Sequence, residues 1–565
     1  MTSPQESTDL TIGPQRIHSV SRDEKTSEPA SLPPSEHSDT ILTGRRLAVA
    51  FLAILLSQAL TALDQTILAT ALPRIASDFD SFSLQGWVAT SFILSQTVFI
   101  LFHGQLLRIY PAKWILVGSI ILFEAGSVLC SVAQNVQQLI AGRTISGPGA
   151  AGIFVAMLQV VAQITRLEDR PRLFGLFGAN FALASVVGPL LGGAFSRTML
   201  PGGIWCFYIN LPLGGVSIVG VILLLKAAPP LGSDPSQRSP RDILRQTLRL
   251  DFLGAVLIAG AVTCLILALQ WGGNTKPWGD RAVIICFAFA GVLVSAFITW
   301  EIYMGERAMT PTTIYKSRSV WAILAYCFLT RFSFLLFSYY IPILYQAVRH
   351  RSATQSGIDL LPFMLSVVLT VIAAGQIIGK TGYLWPFLLV APFFLAIGSA
   401  LLYTLTASSS SAKIIGFQIL VGIGTGMGMQ NSLLAIQVEF RDTPHLIGQA
   451  TSMATFAQFL GGTLGLGVAE PVFASELAKF LQKYAPATPA QIVKESPTAI
   501  YTELPVALIP GVVRSYTAAL KIVFVLGVPV AGFALLSACL IQNVKIGKTG
   551  SPAHVDAEME KDFEV

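Results

Sequence analysis

Charged residues are scarce in this sequence. Only 12% of its 565 residues are Asp, Glu, Lys or Arg, whereas they make up about a quarter of an ordinary soluble domain. Apolar residues account for 53%, and the mean hydropathy is +0.65. This balance excludes a soluble domain with a tail and predicts a protein that crosses a lipid bilayer many times.

Cysteines at metal-binding or disulfide spacing are also lacking. The six cysteines are scattered within or at the ends of apolar runs, without a CxxC pair. We interpret them as small buried hydrophobic residues. No nucleophile elbow and no phosphate-binding glycine loop is present either. The sequence therefore predicts neither an enzyme nor a protein with a metal or cofactor.

The basic residues do not indicate nucleic-acid binding. The net charge is +6, but the Lys and Arg residues stand mostly in loops between apolar runs, where they set membrane orientation. Helix-turn-helix, zinc-finger and RNA-binding patterns are missing. We expect the lipid bilayer as the partner and no nucleic acid.

Both ends of the chain have little apolar content. Residues 1–44 are rich in Ser, Pro, Thr and Glu, so they cannot bury enough surface to fold and are predicted to form a disordered cytosolic tail. Residues 546–565 are predicted to form a second cytosolic tail. No apolar segment follows Met1, so the first apolar run, after Arg45 and Arg46, is expected to act as the insertion signal.

Long apolar runs are what the sequence does have. Since a span needs about 20 apolar residues, we predict an all-α membrane protein with fourteen transmembrane helices in a 6 + 2 + 6 arrangement. Its predicted parts are an N-terminal six-helix bundle (45–226), a cytosolic linker (227–250), two inserted helices (251–303) and a C-terminal six-helix bundle (304–545) with an outside loop at about 474–517.

The two predicted bundles resemble each other in sequence. The pair Gly104 and Gln105 recurs as Gly375 and Gln376, about 270 residues later. The glycine ladder at 147–151 recurs at 422–426, and the glycines at 188–192 recur at 461–465. Such repeats are typical of secondary transporters, whose substrate site lies between the halves.

Charges inside a membrane are costly and usually face the bundle interior. Asp64 stands near the outer end of the first predicted span. It is either a protonatable carboxylate that couples proton movement to transport or an interfacial residue that orders the helix end. Arg143, in the fourth span, always keeps its charge. It either tunes the proton affinity of a nearby acid or clamps two helices together.

Three further polar residues are candidates for lining a cavity. Glu124 in the third span and Arg331 in the ninth either face such a cavity or form a helix–helix hydrogen bond. Gln418 occupies the position in the second half that Arg143 occupies in the first. Because Gln418 is uncharged, the halves are chemically unequal, which suits a protein whose first half handles protons.

A proline within a glycine-rich stretch marks the fifth span. Small residues let helices approach closely, and proline removes a backbone hydrogen bond and bends a helix. The stretch therefore predicts a tight, kinked contact between spans that rock, with ordinary close packing as the alternative. Its residues are Gly188, Pro189, Gly192 and Gly193.

Several motifs, in this order, resemble the major facilitator superfamily. Within it they are similar to the fourteen-span drug:H⁺ antiporters, and among those to fungal toxin and multidrug exporters. The resemblance covers about 45–545 and is carried by LDQTI (63–67) with ALPRI (71–75), RTISGPGA (143–150), GPLLGG (188–193), WCFYINLP (205–212) and LALQWGG (267–273).

The loop after the second span departs from that superfamily. The superfamily pattern is Gly-x-Leu-x-Asp-x-x-Gly-Arg-Lys, and this sequence reads GQLLRIYPAK at 104–113. Gly104 and Lys113 are kept, but Arg108 replaces the acid, and the second Gly and the Arg are lost. In the superfamily this loop latches the cytosolic face. We therefore expect a latch that is weak or differently built.

The resemblance implies proton-coupled efflux of small, rather hydrophobic organic compounds by alternating access. The exported compound would be a toxin, a secondary metabolite or a drug. Asp64 and Arg143 would then couple protons, and GPLLGG would be the motif of antiporters. We expect a monomer in the plasma membrane, with a vacuolar or vesicular membrane second. The alternatives are an uptake carrier on the same fold, for example for siderophores, and a membrane sensor that transports nothing.

Overall fold

The described part of the chain is helical throughout and contains no β-strand. The computed structural model describes residues 41–78, 85–195, 205–231, 239–273, 276–488, 499–502 and 504–546. The predicted N-terminal tail lies outside these ranges up to residue 40, and the predicted C-terminal tail lies outside them from residue 547 onward.

Seven helices form the first half of the described bundle. Pro111 precedes the third, where its missing N–H costs no hydrogen bond. Asn135 caps the fourth, because its side chain accepts a hydrogen bond from the backbone N–H of Gln138 at 2.8 Å. The helices are α1 Gly44–Asp78, α2 Gln85–Ile109, α3 Ala112–Ser131, α4 Val136–Ile164, α5 Arg170–Phe195, α6 Trp205–Tyr208 and α7 Asn210–Leu224.

Three helices connect the two halves. Asp251 and Asp280 cap the second and third of them, accepting hydrogen bonds from Gly254 N at 2.7 Å and Ala282 N at 2.8 Å. Two 3-10 turns, Gly305–Arg307 and Thr312–Lys316, then lead into the second half. The helices are α8 Pro240–Leu248, α9 Phe252–Trp271 and α10 Arg281–Met304.

The second half repeats the order of long helices and adds three shorter ones. The longest of all, α16, has 41 residues. The helices are α11 Arg318–Arg349, α12 Ala353–Asp359, α13 Leu361–Thr381, α14 Trp385–Tyr403, α15 Ser411–Glu439, α16 Pro444–Tyr484, α17 Ala499–Thr502, α18 Ile509–Val525 and α19 Gly527–Leu540.

Twelve helical segments of the described chain are long and apolar enough to cross a membrane. They coincide with twelve of the fourteen predicted spans. Helices α5 and α16 occupy the other two positions but are not among the twelve. One face of α16 carries buried polar residues such as Gln449, Ser452 and Gln458, which lower its hydropathy. The 6 + 2 + 6 arrangement therefore stays a prediction.

The predicted loop at about 474–517 is partly wrong. Helix α16 continues to Tyr484, and α18 begins at Ile509, eight or more residues earlier than its predicted span. Both extensions are amphipathic. Leu477 and Leu481 of α16 pack with Val512 and Tyr516 of α18 in one buried cluster, and this burial stabilises helix where the modest apolar content suggested a loop.

The packing of the glycine ladders makes the internal repeat visible. A Cβ at Gly147 of α4 would run into α2, and one at Gly149 would run into α3. In the second half, a Cβ at Gly422 of α15 would run into α13, and one at Gly424 into α14. Corresponding glycines thus let corresponding helices approach in each half.

The two halves meet closely at one end of the bundle. We call it the basic end, since it carries Arg108, Lys113, Arg166, Arg170 and Arg172. There Gly104 of α2 lies against Ser452 of α16, and Gly375 of α13 lies against the backbone of Pro171 in α5. Backbone approaches of this kind close the basic end between the halves.

Candidate functional site

A buried ion pair lies inside the first half. Nη1 of Arg143 on α4 is 2.6 Å from Oδ2 of Asp64 on α1, and both side chains are 1–2% exposed. The guanidinium of Arg143 also lies 4.1 Å from the ring centre of Phe92, and its Nε donates to the carbonyl of Val88 at 3.4 Å. The arginine therefore keeps favourable contacts even if the carboxylate releases it.

The second oxygen of Asp64 is held by an asparagine. Asn210, the first residue of α7, donates from Nδ2 to Oδ1 of Asp64 at 3.1 Å. The same nitrogen lies 3.3 Å from the hydroxyl of Ser127 on α3. Helices α1, α3, α4 and α7 thus share one polar network, in which both carboxylate oxygens of Asp64 accept a hydrogen bond.

Glu124 lies beside this network but outside its hydrogen bonds. It stands one helical turn before Ser127 on α3, and its carboxylate faces Gly214 of α7, where a Cβ would occupy its place. Neither carboxylate oxygen has a hydrogen-bond partner within the described chain. The structure thus brings a second acid close to Asp64 rather than into a cavity between the halves.

Gly188 makes the predicted tight contact. A Cβ at this position would run into the side chain of Thr66 on α1. Thr66 in turn donates to the carbonyl of Ala184 on α5 at 3.0 Å. The contact ties α5 to α1 within one turn of Asp64. Pro189, Gly192 and Gly193 belong to α5, and their surroundings lie outside the described residues.

A cavity lies between the two halves. Helices α1, α2, α4 and α5 line it from the first half, and α11, α13, α15 and α16 from the second. Its walls combine amides with aromatic rings. The polar lining residues are Gln58, Thr61, Gln65, Gln96, Arg331, Gln430 and Gln458, and the aromatic ones are Phe154, Phe181, Phe334 and Phe459.

The cavity is almost closed. Its volume is about 50 Å³, enough for a few water molecules. A drug-sized ligand needs a pocket of roughly 300 Å³ or more. An organic molecule of that size can therefore enter only after the halves separate.

Helix α1 joins the ion pair to the cavity. Gln58, Thr61 and Gln65 face the cavity, at the spacing of one helix face. Asp64 lies on another face of the same turn and contacts Arg143. A movement of α1 that follows protonation of Asp64 would therefore move cavity-lining side chains as well.

Arg331 is the one cavity candidate that lines the cavity. Its guanidinium lies 5.1 Å from the ring centre of Phe334 and 5.2 Å from that of Phe459. Nη1 contacts the sulfur of Met429 at 3.5 Å. None of the ion pairs found in the described chain includes this arginine.

Gln418 and Glu124 do not line the cavity. Gln418 donates from Nε2 to the hydroxyl of Tyr345 on α11 at 2.9 Å and is wholly buried within the second half. Its repeat relation to Arg143 holds, since both residues sit inside their own half and contact the first helix of that half. For the same reason neither of them reaches the space between the halves.

The loop between α2 and α3 is built differently from the superfamily pattern. Arg108 donates to the carbonyl of Glu306 at 3.1 Å, and Gln105 donates to that of Arg307 at 3.4 Å. These bonds hold the 3-10 turn before the second half. Lys113 caps α7 by donating to the carbonyl of Leu225 at 2.7 Å.

Sequence reasoning missed two parts of the site. Asn210 stands inside the quoted WCFYINLP motif, but the motif gave no indication of its contact with Asp64. The cavity amides, such as Gln58, Gln96 and Gln458, stand in apolar runs, and an uncharged polar residue at the middle of a span is the signal that could have marked them.

The chain matches the family model described as Major Facilitator Superfamily over residues 54–466. It belongs to the Major Facilitator Superfamily. As a member of that superfamily it is a multi-pass membrane transporter and not an enzyme. The match covers the first half, the connecting helices and most of the second half, which are the parts that form the cavity.

Two fungal relatives match nearly the whole length. The MFS-type transporter astH of Aspergillus oryzae is 37% identical over 503 residues, which are 89% of this chain and 87% of astH. The MFS-type efflux pump MFS1 of Trichophyton rubrum is 36% identical over 526 residues, 92% of this chain and 96% of the pump.

A solved structure shares the fold. It is that of the proton:xylose symporter XylE bound to 6-bromo-6-deoxy-D-glucose, with a TM-score of 0.58 at 11% sequence identity. The likeness covers 89% of this chain and 97% of the symporter. At this identity the likeness concerns the arrangement of helices alone, which confirms the major facilitator fold.

Proposed function

We propose that this protein exports small, rather hydrophobic organic compounds in exchange for protons. The observation that carries the proposal is the position of Asp64, which pairs with Arg143 on one face of α1 while the next residue, Gln65, faces the cavity. The names of relatives such as the efflux pump of Trichophyton rubrum favour export over uptake. A toxin, a secondary metabolite or a drug would be the cargo.

The proton step follows from the geometry of the ion pair. A proton on Asp64 cancels its attraction to Arg143, which can remain against Phe92 and the Val88 carbonyl. The state with the pair formed and the state with Asp64 protonated then differ in the contacts of α1 with α4. Protons and substrate drive exchange only through such differences in affinity between two conformations.

The orientation and the full span count belong to this proposal. With the basic end in the cytosol, as the positive-inside rule favours, the closed side of the cavity faces the cytosol. Helices α5 and α16 would complete the fourteen spans, with α9 and α10 as the inserted pair. The protein would act as a monomer in the plasma membrane, with a vacuolar or vesicular membrane second.

The test is dye efflux from pump-deficient yeast that expresses the chain. We would compare wild type with Asp64→Asn, each with and without a protonophore, using a fluorescent lipophilic dye. A matched control is Asp280→Asn, which removes a partly exposed loop carboxylate 3.8 Å from Lys276. Equal amounts of each variant at the cell surface are required for the comparison.

The proposal expects efflux by wild type and by Asp280→Asn, and none by Asp64→Asn or after protonophore addition. Efflux that survives both treatments would refute proton coupling through Asp64. Dye accumulation above the level of cells without the protein would instead indicate an uptake carrier. Absence of both efflux and uptake across a panel of dyes would favour the non-transporting sensor.

A further inference from the structure

The central cavity contains a positive charge without a negative partner. Arg331 lines the cavity, and the lining residues include no Asp or Glu. The Nε atom of Arg331 is buried and has no hydrogen-bond partner among the described residues. Arginine cannot lose its proton in a protein, so the guanidinium keeps its full charge in this apolar setting.

The contacts of Arg331 compensate for this charge only in part. The rings of Phe334 and Phe459 lie 5.1 and 5.2 Å from it, and their π-faces attract a cation. The sulfur of Met429 is a weak acceptor. In the first half, by contrast, Arg143 has a carboxylate at 2.6 Å. A buried guanidinium is stable when an anion faces it, and none of the described residues supplies one to Arg331.

The amides of the cavity offer complementary groups. Oε1 of Gln96 and Oε1 of Gln430 are buried and accept no hydrogen bond from any described residue. Both glutamines line the cavity together with Arg331. A ligand that fills the opened cavity could therefore give a hydroxyl or N–H to an amide while its anionic group faces the arginine.

We propose that the substrates of this transporter are organic acids that bind as anions, with a carboxylate or an acidic phenol or enol on Arg331 and an aromatic or apolar body against the phenylalanines. This proposal rests on the exporter function above. Arg331 selects by charge, because its planar guanidinium can form a bidentate, charge-assisted pair with an anionic group. A cationic compound of the same size meets like charge and is disfavoured.

The test measures binding to purified full-length protein in nanodiscs by fluorescence polarisation of three xanthene dyes of similar size. Fluorescein carries a carboxylate and an acidic phenol, fluorescein methyl ester keeps only the acidic phenol, and rhodamine 123 is a cation. The variants are Arg331→Gln, which removes the charge, and Arg331→Lys, which keeps it. Arg514→Gln is the matched control, since it removes a guanidinium that lies 4.4 Å from the ring centre of Tyr484, outside the cavity. Gel filtration establishes that each variant is folded.

The proposal expects wild type to bind fluorescein most tightly. Arg331→Gln should weaken fluorescein binding by about tenfold or more, as loss of one partner of a buried charge pair does, and should strengthen rhodamine 123 binding, because the repelling charge is gone. Arg331→Lys should lie between, and Arg514→Gln should match wild type. Equal binding of all three dyes, unchanged affinity in Arg331→Gln, or no binding to folded wild type would overturn it.

The binding assay and the yeast efflux assay together separate this proposal from the exporter function. Proton-dependent efflux of rhodamine 123 with no preference for fluorescein would leave the exporter standing and refute the anion site. Selective fluorescein binding that depends on Arg331, without proton-dependent efflux in yeast, would support the anion site and refute the proton-driven exporter.

Discussion

Arg143 and Asp64 are 79 residues apart in sequence and meet at 2.6 Å in the dry interior of the first half. Both belong to helices that also line the cavity, α4 through Phe154 and α1 through Gln65. A buried ion pair contributes little net stability, but removal of one partner costs about 3–5 kcal/mol because the other charge stays buried. The pair is thus a point where charge, packing and transport depend on each other.

Removing one member of this ion pair should lower the free energy of unfolding more than removing both. We expect Arg143→Gln to lower the free energy of unfolding by about 3–5 kcal/mol, since it leaves a buried carboxylate. The double variant Asp64→Asn with Arg143→Gln should recover part of the loss, because no charge remains. Melting temperatures in detergent would show the order, and a double variant less stable than either single variant would contradict it. None of these variants should show proton-driven efflux.

Replacing Asn210 should lower stability and transport more than replacing Ser127. Asn210→Leu removes the donor to Asp64 and keeps the branched outline of the side chain, and a hydrogen bond to a charged group contributes about 1.5–3 kcal/mol. Ser127→Ala removes only a bond between neutral groups, about 1 kcal/mol. We therefore expect a larger fall in melting temperature and in proton-driven efflux for Asn210→Leu. Similar losses in both variants would show that Asn210 does not act through Asp64.

A side chain at Gly375 should prop open the basic end. A valine there would run into the carbonyl of Pro171, and overpacking of this kind costs about 1–3 kcal/mol. The ratio of closed to open protein should then fall by about fivefold or more, because about 1.4 kcal/mol corresponds to a factor of ten. The readout is alkylation of a cysteine placed at Gln449, which is 1% exposed, by a membrane-impermeant maleimide in a Cys539→Ser background.

The matched control for this experiment is Gly118→Val. Gly118 is also a helical glycine, but no atom lies within 4 Å of its virtual Cβ. It should leave the alkylation rate at the wild-type level. Equal rates in Gly375→Val and wild type would mean that the contact between α5 and α13 does not close the basic end.

Restoring the superfamily's acid at position 108 should impair this transporter. Arg108 donates to the carbonyl of Glu306 at 3.1 Å and is exposed. Arg108→Asp would lose that bond and place a second acid beside the Glu306 side chain. Interactions between exposed charges are small, up to about 1 kcal/mol, so we expect transport to fall by no more than about fivefold. Arg108→Gln, which keeps a donor, should stay near wild type, and a gain of activity in Arg108→Asp would contradict this account.

The fold was largely predictable because its signals are local. Apolar runs and glycine ladders each occupy a few consecutive residues, and the glycines at 147 and 422 turned out to make equivalent contacts in the two halves. The predicted loop at 474–517 failed for a different reason. Its helical ends depend on burial of Leu481 against Tyr516, a long-range contact that the local composition does not reveal.

Residues of the site were predictable only where the charge of the side chain alone makes its burial in a membrane costly. Asp64 and Arg143 stand out because any charge inside a membrane needs an explanation. Asn210 does not stand out, since an asparagine at the start of a helix is ordinary, and its role comes from a partner 146 residues away. Gln418 was placed wrongly because a repeat offset gives its position in a half and not which side of its helix faces the cavity.

Two of the contacts that close the basic end are made by glycines, Gly104 against the side chain of Ser452 and Gly375 against the backbone of Pro171. Dissolved ions screen contacts between charges, and at about 0.15 M salt they do so beyond about 8 Å. Dissolved ions have almost no effect on close van der Waals packing. These two glycine contacts should therefore hold equally well in dilute and in concentrated electrolyte, so that a change of ionic strength would not loosen the basic end through them.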